Sequence, residues 1–195
     1  MILQEYDQHF QKPPERILLL PSTTGYDYQR MVQEYPKSEY WAIEKDKNSW
    51  VQIVTSNQYT KVLKGDISEV NLLNKTFGII YLDLMSFFTM STVSKIARIL
   101  QQKNEGHRTT IPIVPTKGGI VALTLVQRPG RSANLIDPSS KIMCPSSYME
   151  HVATKLNQVI KRRNESWGKG LVGQHAIRLQ PLHAFDYTTH MHMIM

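Results

Sequence analysis

Three acidic residues in this chain each close an apolar run: Glu44 after Tyr40-Trp41-Ala42-Ile43, Asp66 after Lys61-Val62-Leu63, and Asp83 after the stretch from Phe77 to Leu82. A carboxylate offers only acceptor sites, so such a set can hold the hydroxyls and amines of a polar ligand. Acids in these places also serve as helix caps and turn formers. Glutamate is a poor cap, which favours the ligand reading for Glu44, whereas Gly65-Asp66 is also an ordinary turn pair. An earlier apolar run, Ile17 to Leu20, ends in Pro21-Ser22-Thr23-Thr24-Gly25. Its hydroxyls could meet an anionic group at the start of the next helix, where N–H groups are free. Phe87 and Phe88 follow Asp83 and offer stacking surfaces for a base, or ordinary core packing. Arg128 and Arg131, with Lys141 further on, make a basic loop that could hold phosphates or simply be solvated.

The remaining reactive side chains support less. There are seven histidines, and His175, His183, His190 and His192 crowd the C-terminal stretch. His190 and His192 share one face of a strand, but no acid or cysteine accompanies them, so a strand face is expected and no metal site. Met191, Met193 and Met195 then read as core. The single cysteine, Cys144, allows no disulfide within the chain and no thiolate zinc site, and it has no evident base. The N-terminal residues contain no long apolar run, and no stretch reaches the length of a membrane span. A reducing intracellular compartment, cytoplasmic or nuclear, is therefore expected. Lys and Arg total 23 against 16 Asp and Glu, a net charge of +7, which suits a nucleic-acid partner and equally a basic, soluble surface.

The elements that must position these residues alternate. With 195 residues, of which 41% are apolar and 20% charged, one folded domain is expected over residues 16–195, preceded by a polar arm over residues 1–15 that ends in Pro13-Pro14. Short apolar runs at Ile17–Leu20, Tyr40–Ile43, Lys61–Leu63, Phe77–Leu82 and Ile120–Val126 read as strands. Helix faces follow at Tyr28, Met31, Val32 and Tyr35; at Trp50, Ile53 and Val54; and at Val93, Ile96, Ala97 and Leu100. Residues 67–76 are short for a full helix. Ser147 with Glu150 has capping-box spacing and opens a face of Met149, Val152, Ala153, Leu156 and Ile160, with Lys161-Arg162-Arg163 at its far end. Residues 174–182 and 187–195 read as two strands that pair antiparallel. The alternation predicts an α/β fold with a mainly parallel, doubly wound sheet.

Four motifs in this order resemble the class I, Rossmann-like S-adenosylmethionine (SAM)-dependent methyltransferases. Tyr40-Trp41-Ala42-Ile43-Glu44-Lys45-Asp46-Lys47 is similar to the second-strand motif of that superfamily. Leu63-Lys64-Gly65-Asp66-Ile67 is similar to its third, and Phe77 to Asp83 to its fourth. Lys117-Gly118-Gly119 followed by an apolar run resembles the opening of its fifth strand. The first motif is degenerate, with one glycine in Leu20-Pro21-Ser22-Thr23-Thr24-Gly25. The resemblance implies a three-layer α/β/α fold, with a seven-stranded, mostly parallel sheet closed by a C-terminal antiparallel hairpin.

It also implies SAM as cofactor. Glu44 would then accept both ribose hydroxyls, with Lys45 beside it. Asp66 would accept from the adenine amine, and Ile67 would offer its backbone N–H to the ring. Pro21, Ser22, Thr23 and Gly25 would line the first turn, and Asp83 and Leu84 the fourth. Asp83 is the candidate catalytic residue, and Phe87, Phe88, Arg128 and Arg131 are candidates for the substrate. Asp83-Leu84-Met85-Ser86 lacks the prolines of the base N-methylating enzymes, so that activity is not implied. The function expected is methyl transfer to nucleic acid or another anionic molecule. The alternatives are a methyltransferase-like scaffold that no longer catalyses and another SAM-using transferase, such as an aminopropyl transferase.

Overall fold

A computed structural model describes residues 2–21, 25–72, 74–103, 110–126, 145–166, 177–182, 184–188 and 191–194. In chain order the elements are α1 (Ile2–His9), β1 (Arg16–Leu19), α2 (Tyr26–Glu34), β2 (Glu39–Glu44), α3 (Lys47–Ser56), β3 (Lys61–Lys64), β4 (Ile79–Phe87), α4 (Met90–Leu100), β5 (Gln101–Lys103), β6 (Thr110–Pro112), β7 (Ile120–Val126), α5 (Pro145–Ser166), β8 (Ala184–Thr188) and β9 (Met191–Ile194). The chain divides into two compact units, Met1–Asp83 with Val114–Ala122, and Leu84–Ile113 with Leu123–Met195.

In the first unit the strands run β3-β2-β1-β4-β7. The β1–β2, β2–β3 and β1–β4 pairs are parallel. The fold is thus α/β with a mostly parallel sheet, as the alternation predicts. Continuous apolar runs suit strands covered on both faces. Ile17, Leu18, Leu19, Ile79, Ile80 and Leu82 are each 1% exposed or less. Trp41 stacks edge-on against Phe77 with centroids 5.6 Å apart. The short edge strand β3 carries exposed Lys61 and Lys64, charges that discourage further strand pairing. In the second unit the order is β7-β9-β8, both pairs antiparallel, and β5 pairs antiparallel with β6. There α4 buries Val93, Ile96, Ala97 and Leu100, and α5 buries Met149, Val152, Ala153, Leu156 and Ile160, the same sets that the helical spacing selects.

Several expectations are corrected. The residues read as a polar arm form α1, which docks through aromatic side chains. Tyr6 is 6% exposed, and its ring lies 4.7 Å from Phe10 and 6.0 Å from Tyr35. The Tyr35 hydroxyl donates to Asp7 Oδ1 at 2.7 Å. β4 does not stop at Asp83 but continues to Phe87, since Leu84-Met85-Ser86-Phe87 contains neither glycine nor proline to interrupt a strand. Among the described residues between β3 and β4 there is no helix, in keeping with the shortness of 67–76, but a turn from Asp66 in which Glu69 N donates to Asp66 O at 2.8 Å. α5 begins at Pro145 rather than at a Ser147 cap, since proline suits a first helical position. Lys161-Arg162-Arg163 lies at the C-terminal end of this helix, with Arg163 in its last turn, as expected. The stretch 101–112, read as a connection, contains β5 and β6. The partner of β9 is 184–188, and residues 177–182 have no regular structure. Asn157 on α5 holds that segment, accepting from Leu179 N at 2.8 Å and donating to Leu179 O at 2.9 Å.

Candidate functional site

The strand order of the first unit reverses between β1 and β4, and ligands of open α/β sheets bind outside the carboxyl ends at such a point. Pro21 and Asp83 are each two residues past the last register pair, Leu19↔Tyr81. Leu20 N still donates to Tyr81 O at 3.1 Å, so the segment after β1 stays beside β4 for one more residue. Asp83 is half-buried there although β4 runs on.

The neighbouring ends of β2 and β3 are tied together. Gly65 N donates to Glu44 O at 3.0 Å. Lys45 Nζ reaches across to Asp66 Oδ2 at 3.3 Å. Glu44, Lys45 and Asp66 therefore gather at one edge, as a shared ligand requires. Each carboxylate also performs the local task open to its type. Glu44 Oε1 accepts from Asp46 N at 2.7 Å, and Asp66 Oδ1 accepts from Ser68 N at 3.0 Å and Ser68 Oγ at 2.8 Å. Asp46 caps α3, its Oδ1 accepting from Ser49 N at 2.8 Å. That bond holds the Asp46 carboxyl below the usual carboxylate range. Glu44 Oε2 has no hydrogen bond among the described residues, so this side chain can still accept from a ligand hydroxyl. Ile67 is buried beside Asp66.

The first turn of α2 makes different contacts. Gly25 precedes the helix with φ 64°, a left-handed conformation suited to glycine, and makes no side-chain cap. The Tyr28 hydroxyl donates to Gln58 O, and its ring packs 4.5 Å from Tyr59 and 5.2 Å from Tyr40. Gln58 and Tyr59 lead into the amino end of β3, whereas Asp66 leaves its carboxyl end. Burial pushes the hydroxyls of Tyr28, Tyr40 and Tyr59 up, so these tyrosines are protonated packing groups at neutral pH. The structure thus brings Glu44, Lys45 and Asp66 together but ties the start of α2 elsewhere.

No protein-family model and no curated protein matches the sequence. Among solved structures, a SAM dependent methyltransferase from Aquifex aeolicus matches 98% of this chain and 86% of its own, with TM-score 0.52 and 11% identity. The chain has a methyltransferase fold. Two further matches are looser. The plantazolicin methyltransferase BpumL in complex with SAH (S-adenosylhomocysteine) gives TM-score 0.46 at 14% identity, covering 64% of this chain and 44% of that one. PKMT2 from Rickettsia typhi gives 0.46 at 14%, covering 88% and 33%. The chain thus spans less than half the length of either.

Within the methyltransferase fold the remaining candidates separate. Phe88 is 2% exposed in the second unit, edge-on to Tyr148 and His151 with centroids 6.2 Å away in each case, so it is a core residue and offers no stacking face. Leu84 is half-buried in β4. Ser22, Thr23, Arg128, Arg131, Lys141, Cys144, His175, His183 and His190 lie outside the described residues, as do the side chains of Phe87 and His192. Among the described residues no group of three or more His, Cys, Asp or Glu could hold a metal ion. No helix of the described residues is long and apolar enough to cross a membrane. Two features escaped the sequence reading. The Lys45–Asp66 pair joins residues 21 apart, and the Asn157–Leu179 clamp carries no local signature at all.

Proposed function

We propose that this chain binds SAM at the carboxyl edge of β1, β2, β3 and β4 and acts as a methyltransferase. The observation that carries the reading is Glu44, which ends β2 with one carboxylate oxygen uncommitted and is joined through Lys45 to the turn at Asp66. Glu44 accepts the ribose hydroxyls, since a carboxylate retains several acceptor sites after one local bond. Asp66 and the Ile67 backbone face the adenine, and Pro21 with Ser22, Thr23 and Gly25 belongs to the methionine side. When bound, SAM would supply a methyl group on a positively charged sulfur, and Glu44, Asp66 and Ile67 would hold it. The protein's own contribution is positioning and charge placement, so no universal nucleophile is needed. Asp83 and Leu84 stand where the acceptor meets the methyl, and Asp83 is the group to hold or move its proton. The acceptor is an anionic molecule such as a nucleic acid, a reading that rests on the net charge of +7 and on the closeness of Arg128 and Arg131 in the sequence.

The test is calorimetric titration of the purified chain with SAM and SAH, repeated for Glu44→Ala. Micromolar binding that Glu44→Ala abolishes, with the variant's circular dichroism unchanged, supports the reading. No detectable heat at millimolar SAM refutes it and leaves a scaffold that does not catalyse. Affinity for a labelled oligonucleotide should fall steeply with salt, and a flat salt dependence removes nucleic acid as acceptor.

A further inference from the structure

The carboxylate of Asp66 is in use before any ligand arrives. Ser68 occupies Oδ1 with both its N–H, at 3.0 Å, and its hydroxyl, at 2.8 Å. Lys45 Nζ lies 3.3 Å from Oδ2. The Lys45 side chain is 75% exposed and that of Asp66 only 14%, so the lysine reaches in from solvent over a largely covered acid. The two bonds from Ser68 fix the Asp66 rotamer, so the carboxylate cannot turn a fresh oxygen outward without losing them. The neighbouring Lys64 is directed elsewhere, with its Nζ 5.6 Å from the centroid of the Trp50 ring.

We infer that Lys45 is a specificity-determining residue that blunts recognition of the adenine 6-amino group. The inference rests on the SAM-binding reading above. A bare carboxylate separates an amine from a carbonyl sharply, because the amine donates to it and the carbonyl oxygen repels it. With Lys45 in place the edge presents an acceptor already engaged and an ammonium donor beside it. An incoming 6-amino group must share Oδ2 with the lysine and meets its positive charge, whereas a 6-oxo group accepts from it directly. The chain should therefore treat the 6-amino and 6-oxo forms of the nucleoside almost alike, and removal of Lys45 should restore the distinction.

The probes are SAH and its 6-oxo counterpart, S-inosylhomocysteine, titrated by calorimetry into the wild-type chain, Lys45→Met and Lys45→Arg. The wild type should prefer SAH only modestly, and because the N1–H gained by the 6-oxo ring faces wild type and variants alike, the role of Lys45 is read from the change in that preference. Lys45→Met should bind SAH about two- to fivefold more tightly once the competing pair is gone. It should also reject the inosyl form by about tenfold or more, the usual worth of a hydrogen bond to a charged group. Lys45→Arg should behave as wild type, because the cation is retained. An unchanged preference in Lys45→Met, with SAH still bound, overturns the role of Lys45 and leaves the SAM reading standing. Failure of SAH to bind either wild type or variant overturns both together.

Discussion

Replacing Gly119 with alanine should destabilise the first unit although it adds only one methyl group. An ideal Cβ at Gly119 would lie 2.7 Å from Gly78 O and 3.2 Å from Phe77 O, with Val114 Cγ1 also at 3.2 Å. The first two are backbone atoms and cannot rotate away. Gly78 is itself hemmed in, since a Cβ there would meet Pro14 Cβ and Tyr6 Oη at 2.9 Å each. The next residue, Ile120, donates its N–H to that same Gly78 oxygen at 2.8 Å, so backing Gly119 away lengthens this bond. Overpacking by a methyl typically costs about 1–3 kcal/mol, and a weakened hydrogen bond adds about 0.5–1.5. Against this, alanine lowers the entropy of the unfolded chain, which returns about 0.4–1 kcal/mol. The net is a loss of about 1–3 kcal/mol. With a urea m-value of about 2 kcal/mol/M, the midpoint should drop by about 0.5–1.5 M. Lys117→Ala, exposed two residues earlier, serves as the control and should stay within about 0.5 kcal/mol. A Gly119→Ala midpoint indistinguishable from the control would falsify the placement of the start of β7 against the Phe77-Gly78 backbone.

Two further outcomes are expected. Burial holds the hydroxyls of Tyr6, Tyr28, Tyr35, Tyr40, Tyr59 and Tyr148 above their ordinary value, with Asp7 adding to the effect at Tyr35. Above about pH 10 the unfolded chain has lost protons that the folded chain keeps, so stability present below that pH falls as pH rises. Urea midpoints should be level between about pH 8 and 9 and decline beyond about 10, and a midpoint that rises there contradicts the burial of these rings. Asn157→Ala should release residues 177–182 from α5, because both bonds to Leu179 vanish. Trypsin should then cut after Arg178 several-fold faster, as followed by mass spectrometry, and an unchanged cleavage rate rules out the clamp.

What could be read from the sequence follows how local each signal is. Val93, Ile96, Ala97 and Leu100 repeat every three or four residues, and each has 0% exposure. The bounds of β7, Ile120–Val126, follow from an apolar run opened by Gly118-Gly119. Glu44 and Asp66 stood out because acids ended apolar runs, and the strands do end there. What failed depended on partners distant in sequence. The arm at residues 1–15 looks polar, yet Tyr6 and Phe10 pack within it, and the partners of Tyr6 include Tyr35 and a space left open by Gly78. α3 was legible as a helix, but its apolar residues do not make a core face. None is buried, and Val51 and Val54 are 47% and 43% exposed. The helix adjoins β2 and the four-residue edge strand β3, which offer too little surface to cover it.

The degenerate first motif has a physical counterpart in the start of α2. A glycine-rich turn earns its place when the backbone must approach a ligand closely and deliver helix N–H groups to it. In this chain the first turn of α2 is fastened by Tyr28 to Gln58 and Tyr59, at the amino end of β3. The single glycine, Gly25, accordingly relieves a left-handed backbone beside Gln58, whose Oε1 lies 3.8 Å from where a Cβ would project. Its conformation serves the turn into the helix. On the SAM-binding reading proposed above, ligand recognition at this edge draws more heavily on β2 and β3, where Lys45 and Asp66 are already joined. On that reading Glu44 and Lys45 are the positions at which substitution should register most strongly in ligand binding.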